Sequence, residues 1–275
     1  MTPRSYITRA RVTAIADQLN AKDRSILADV ARLNVASAAQ LRRLHGDDSV
    51  TGRRRVRGQL ERLTADRVLA RLERRVGGER AGSDGFVYAL DTVGQRIVYP
   101  DWRSYRTPWT PQPMHLRHAL AVTQLYVDLN LAELAGVRLK RFDAEPACWR
   151  SFHGPGGARL TLKPDAFVIL AGPDYQDRMF VEIDRSTESL PRIITKGRTY
   201  IHYFESGREQ GHHGVFPIVV WIAPHDRRRA QLIDALSKLP PEHWRLFVVT
   251  TDNHAVDQLI AGTFASLDDH VQDAS

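Results

Sequence analysis

Two short apolar runs that each carry an acid constrain this chain more than any other stretch. Residues 167–170 (Phe-Val-Ile-Leu) and 179–183 (Met-Phe-Val-Glu-Ile) are separated by Gly172-Pro173-Asp174. β-Branched and aromatic residues fill both runs and a turn cluster divides them, which predicts a β-hairpin. Asp165 precedes the first run and Glu182 lies within the second. Glu182 follows Phe180 and Val181, where an unpaired carboxylate is costly unless it faces a cation or a partner. Downstream, Ser186 or Thr187 is placed to cap a helix whose apolar positions Leu190, Ile194 and Tyr200 or Ile201 recur at helical spacing. Lys196 and Tyr200, four residues apart on that helix, share a face.

The chemistry follows from that pattern. Two carboxylates brought together at strand ends repel unless a hard cation lies between them, and oxygen ligands of this kind suit Mg²⁺ or Mn²⁺. The ammonium of Lys196 would orient a water or offset charge on a scissile phosphate. Tyr200 would bond that phosphate or help place Lys196, or it is a packed tyrosine with a satisfied hydroxyl. Glu145, on an earlier strand, would complete a three-acid cation site or simply face solvent. The other role open to Asp165 and Glu182 is salt bridging to Lys163, Arg185 or Lys196.

Pro164-Asp165, then Glu182-Ile183-Asp184, then a helix with Lys196 and Tyr200, resembles the PD-(D/E)XK nuclease superfamily, the restriction-endonuclease-like fold. More narrowly, the surrounding text is similar to the replication-relaxation family of bacterial plasmids and mobile elements, and to restriction-endonuclease-like mobilisation relaxases. The likeness covers roughly residues 115–250. It implies a mixed sheet flanked by helices, catalytic roles for Asp165, Glu182, Lys196 and Tyr200, and metal binding by Asp165 and Glu182 with Glu145. The superfamily has Lys two residues after its second acid, where this chain has Asp184; either Lys196 stands in or the site is impaired. A relaxase-like nick would use a tyrosine nucleophile, and among Tyr126, Tyr175, Tyr200 and Tyr203 the sequence selects none.

Charge separates the chain into two blocks. Net charge is +7, and residues 1–100 hold 19 Lys plus Arg against 11 Asp plus Glu, whereas residues 101–275 hold 20 against 21. A basic block joined to a near-neutral one points to a polyanion, most often nucleic acid, as the partner of the first. Within that block, Ile26, Leu27, Val30 and Leu33 form a helical stripe, 36–44 a second short helix, and 51–65 a third with Arg53, Arg54, Arg55 and Arg57 ahead of Leu60 and Leu63. Strands at 68–76 and 86–90 follow, around a Gly-rich turn. This order reads as a winged helix-turn-helix that presents the third helix to double-stranded DNA, with Arg71, Arg74, Arg75 and Arg80 on the wing. A solvated arginine face used for protein contacts is the competing reading.

The expected organisation is therefore α+β: a winged-helix DNA-binding domain at 1–98, a Pro/Trp-rich linker at 99–114, a nuclease-like α/β domain with a mixed central sheet at 115–262, and an acidic tail at 263–275. The apolar run 215–223 reads as a strand buried on both faces. The lone cysteine, Cys148, excludes internal disulfides and a Cys-based zinc site and reads as a packing residue. No stretch has the roughly 20 apolar residues of a membrane span, and the first residues lack the apolar core of a signal peptide. The expected location is the cytoplasm. No P-loop or dinucleotide fingerprint calls for a small-molecule cofactor. These features predict a DNA-binding protein of plasmid or mobile-element replication or mobilisation, with a metal-dependent nicking site in its second domain. The alternative is a non-catalytic regulator that uses a degenerate nuclease-like domain for binding or homodimerisation.

Overall fold

The computed structural model describes residues 7–47, 49–75, 85–101, 112–132 and 136–262. The wing tip with Arg80, most of the Pro/Trp-rich linker, the acidic tail, and the side chains of Arg74 and Arg75 lie outside the described residues. The fold is α+β, and the chain divides into two compact units, Met1–Val127 and Asp128–Ser275.

The first unit opens with α1 (Arg9–Gln18) and α2 (Ala21–Leu33), then β1 (Ala36–Ser37), α3 (Ala38–His45) and α4 (Val50–Ala65). The strands β2 (Leu69–Arg75) and β3 (Phe86–Leu90) follow, then α5 (Thr92–Val98) and α6 (Pro113–Leu131). β1, β3 and β2 form an antiparallel sheet in that order. Helix starts are specified locally. Asn20 and Asp23 form a reciprocal capping box on α2, Ser37 and Gln40 another on α3, and Ser49 caps α4. Ile26, Leu27, Val30 and Leu33 are buried with Leu41, Val56, Leu60 and Leu63, so the stripe expected on α2 is the one that packs. Gly52 is fixed by space, because a Cβ there would come within 1.9 Å of the Asp47 carboxylate.

The division between units falls inside α6, not at the proline-rich stretch. Leu116, Ala119 and Leu120 join Val35, Leu72, Val87 and Ala89 in one cluster of the first unit. The helix that sequence assigns to the second domain thus supplies core to the first along most of its length.

The second unit is built on a five-stranded mixed sheet in the order β10-β9-β8-β7-β4. β4 (Arg138–Ala144), β7 (Ala166–Ala171) and β8 (Gln176–Ile183) are antiparallel neighbours, while β9 (Ile218–Ala223) and β10 (Phe247–Thr251) continue parallel to β8. Every residue of β7 and β10 is buried, which accounts for the unbroken apolar text of β7 and for residues 247–249 of β10. A separate hairpin, β5 (Arg150–His153) and β6 (Arg159–Leu162), precedes β7. The helices are α7 (Leu190–Glu205), α8 (Arg208–His213), α9 (Asp226–Leu236) and α10 (Ala255–Ala261). A Cβ on Gly197 of α7 would come within 2.6 Å of Leu239, just past α9, so the glycine permits the two helices to approach closely.

Two local expectations are corrected. Ser189, not Ser186 or Thr187, occupies the N-cap position of α7, and its side chain makes no capping hydrogen bond. Ser186 has φ of 59° and donates its N–H to Asp184 Oδ1, so the chain turns before the helix begins. Glu145, expected on a strand, opens a turn at 145–148, and β5 starts at Arg150. His212 and His213 end the short helix α8, whose Glu209 is buried. No helix among the described residues is long and apolar enough to cross a membrane.

Candidate functional site

Glu182 is the centre of the site in the second unit. It occupies the last turn of pleat in β8, and only 1% of it is exposed. Both of its oxygens are engaged from α7: Lys196 Nζ lies on Oε2, and Tyr200 donates its hydroxyl to Oε1 at 2.5 Å. The i,i+4 spacing of Lys196 and Tyr200 does what the sequence leads one to expect, setting both on the helix face toward the sheet. Asp165 precedes β7, which pairs with β8, and its Oδ2 accepts the Ile183 N–H at 2.7 Å. Its carboxylate is near enough to act on the charge of Glu182, Lys196 and Tyr200.

Electrostatics in this site are set by burial. It pushes the Glu182 carboxyl up to about 8, against the pull of the Lys196 ammonium, and the Asp165 charge raises it further. The same burial would lower Lys196, but attraction to Glu182 and Asp165 outweighs it, and its pKa is raised. Tyr200 is held neutral, first by burial and then by the charge of Glu182. It is a donor to the carboxylate. Of the four tyrosines considered for a nucleophile, Tyr126, Tyr200 and Tyr203 are buried and only Tyr175, in the β7–β8 turn, is exposed.

Asp184, at the position where the superfamily has lysine, serves a different purpose. Its carboxylate pairs with Arg228 of α9, which also donates to the Glu188 carbonyl at 2.7 Å. Arg228 is buried, and sequence reading assigned it no role among Arg227, Arg228 and Arg229. A signal existed: Arg228 lies four residues before Leu232 and so falls on the buried stripe of α9 with Ala235 and Leu236. Trp221 was also missed. It pairs in register with Glu182, and Lys196 Nζ lies 5.8 Å from its ring centroid; nothing in an all-apolar strand marks which residue borders a site. Cys148 donates its thiol to the Pro164 carbonyl at 3.0 Å, and burial raises its pKa, in keeping with a packing role.

A cation at this site would have two carboxylates to rest on. Among the described residues no group of three or more His, Cys, Asp or Glu side chains is arranged to hold a metal ion, so Glu145 does not join Asp165 and Glu182 in a three-acid set. Two carboxylates nevertheless match Mg²⁺, which commonly takes one or two and completes its shell with water and substrate phosphate. Each Glu182 oxygen accepts one hydrogen bond, and a carboxylate oxygen has room for a second partner. Lys196 brings one positive charge to a site with two carboxyl groups, Asp165 and Glu182.

In the first unit, Arg53, Arg54, Arg55 and Arg57 are all exposed along α4. Arg57 is paired with Glu61 at 2.9 Å, an exposed i,i+4 contact worth little. Arg71 of β2 lies 4.4 Å from the Phe86 ring centroid on β3 and is exposed. Arg62, further along α4, is anchored to the fully buried Asp23 at 2.5 Å. The helix therefore has a structural basic residue at its end and unburied ones at its start.

A family model described as replication-relaxation matches residues 27–219. No curated protein and no solved structure matches the chain.

Proposed function

Because the chain belongs to the replication-relaxation family, we propose that it is a DNA-binding protein of plasmid or mobile-element replication and mobilisation whose second unit nicks a DNA strand with the help of Mg²⁺ or Mn²⁺. The observation that carries this reading is the convergence of Lys196 and Tyr200 on the buried Glu182, with Asp165 alongside. A carboxylate, an ammonium and a second carboxylate brought together from a strand, a helix and a strand-preceding turn are the parts of a phosphodiester-cleaving site of the restriction-endonuclease-like kind.

Asp165 and Glu182 would hold the cation, which when bound supplies charge to a phosphate oxygen and makes a coordinated water more acidic. Lys196 orients the attacking water and offsets charge on the phosphate, and Tyr200 fixes the Glu182 carboxylate so that Lys196 has a defined resting place. In the first unit, the helix–strand–helix–helix–hairpin order and the exposed arginines of α4 support a winged helix on double-stranded DNA, with Arg53, Arg54, Arg55 and Arg57 toward the groove or phosphates and Arg71 on the wing strand.

One observation favours a second reading, a regulator without catalysis: Glu182 already has an internal donor on each oxygen. Relaxation of supercoiled plasmid with Mg²⁺ or Mn²⁺ separates the two. Nicking that falls by about 100-fold or more in each of Asp165→Ala, Glu182→Gln and Lys196→Ala, with DNA binding retained, establishes the nuclease. Absence of nicking on DNA that the protein binds establishes the regulator.

A further inference from the structure

The β5–β6 hairpin stands apart from the five-stranded sheet, and its two faces differ in chemistry. Its inner face carries Phe152 and Leu162, both buried, and Arg150, which reaches Glu209 at 3.0 Å. Its outer face follows from the register. Ser151 pairs with Thr161 and His153 with Arg159, and one step beyond the ladder Trp149 stands across from Lys163, whose Nζ lies 4.5 Å from the Trp149 ring centroid. Trp149 packs one edge against the core, with its Nε1 buried, and is partly exposed beneath Lys163; the other five residues are exposed. The three pairs run about 13 Å along the strands at ~3.3 Å per residue.

This ladder ends at the acidic site. Lys163 is two residues from Asp165, and the Cys148 thiol ties the segment bearing Trp149 to the Pro164 carbonyl. From residue 149 to residue 163 the chain has no Asp or Glu, but it has Arg150, Arg159, Lys163 and His153. The exposed Arg208 adds a further cation beside the ladder, donating to the Ser151 carbonyl at 3.1 Å. The rest of residues 101–275 holds 17 Lys plus Arg against 21 Asp plus Glu, so this run stands out by its sign.

We propose that the outer face of the β5–β6 hairpin is a track for a single DNA strand leading to Asp165 and Glu182. The inference rests on the nuclease-like reading for its destination, and on the hairpin alone for its chemistry. Cations at both ends of the ladder suit phosphates of one strand that are not adjacent, and the paired hydroxyls of Ser151 and Thr161, 3.3 Å apart, offer donors between them. Trp149 supplies the aromatic face. A base stacks there only if it is unpaired, and in doing so it displaces the Lys163 ammonium toward the neighbouring phosphate. The combination of a basic ribbon with one aromatic platform selects a single strand over a duplex.

The test uses the full chain in EDTA, with a labelled 15-nucleotide oligothymidylate and a duplex of equal length as probes. Trp149→Ala is expected to weaken oligothymidylate binding about 5- to 100-fold. The surface pair Arg159→Ala and Lys163→Ala, combined, is expected to weaken it too and to reduce the log–log salt slope by about 1.4, since two fewer cations release counterions from a single strand. Duplex affinity stays unchanged. Unaltered oligothymidylate affinity and slope in the combined variant overturn the proposal, and an equal loss on duplex overturns the single-strand assignment. Without metal these outcomes are independent of nicking. A protein that never nicks but loses oligothymidylate binding upholds the track and removes the nuclease reading, while nicking with unaltered binding in the variants does the reverse.

Discussion

Arg228 holds the carboxylate of Asp184 from a helix that begins more than forty residues later in the chain, with both side chains withdrawn from solvent. The pair joins the end of β8 to α9, and through the Glu188 carbonyl to the loop that leads into α7. The residue standing where a lysine is usual is thus part of the frame that places Lys196 and Tyr200.

Breaking that pair leaves a buried charge uncompensated. Arg228→Ala and Asp184→Lys are each expected to lower stability by about 3–5 kcal/mol, whereas the double replacement Asp184→Leu with Arg228→Met costs less than either. Urea unfolding of the three variants reads this directly. A double variant as unstable as the sum of the single losses would contradict it.

Tyr200→Phe removes a donor from a buried carboxylate without creating a cavity. The expected loss is about 1–3 kcal/mol, since Glu182 Oε1 keeps its burial and loses its hydrogen bond. Thermal unfolding measures it. An unchanged midpoint would mean that the hydroxyl does not satisfy Glu182 in solution.

Replacing Arg53, Arg54 and Arg57 together with Ala is expected to weaken duplex binding and to flatten its salt dependence by about 2 to 3 in log–log slope, fewer counterions being released. Titrations at several salt concentrations suffice. The same slope and affinity in the variant would remove α4 from the DNA contact.

Stability at high pH offers an independent check on the first unit. Tyr126 donates to Asp29 at 2.7 Å and accepts from Arg32 at 2.7 Å, and burial together with the Asp29 charge raises its pKa from 10.0 to about 12. A group raised in the folded state contributes stability that is fully present below its unfolded pKa and is lost as pH rises through the folded one. The native protein should therefore lose up to roughly 2–3 kcal/mol relative to Tyr126→Phe between about pH 10 and pH 12. Parallel pH profiles for the two proteins would count against the arrangement.

Much of the site was legible because it is carried by short spacings. The turn at 172–174 fixes the β7–β8 hairpin, and the four-residue step from Lys196 to Tyr200 guarantees a shared helix face. The salt-bridge alternative to a cation site was legible as well, and Lys196 does pair with Glu182. What escaped was long-range. Arg228 could not be told from its neighbours without knowing which stripe of α9 packs, and Trp221 could not be linked to Glu182 without the parallel register of β8 and β9. The third acid, Glu145, was placed by analogy of position, and among the described residues it does not complete a cluster.

The sequence by itself determined the elements: capping boxes, apolar periods and turn residues are local, and each acts within one helical turn or one hairpin. It also determined that an acid would lie in a buried strand and that a lysine and a tyrosine would share a helix face. Only the tertiary structure decided that Glu182 meets both of them, that Asp184 is matched by Arg228, and that α6 packs into the first unit along most of its length. Those outcomes depend on which faces pack together, and a burial cost as large as that of an unpaired carboxylate is resolved by whichever partner the packing brings within reach.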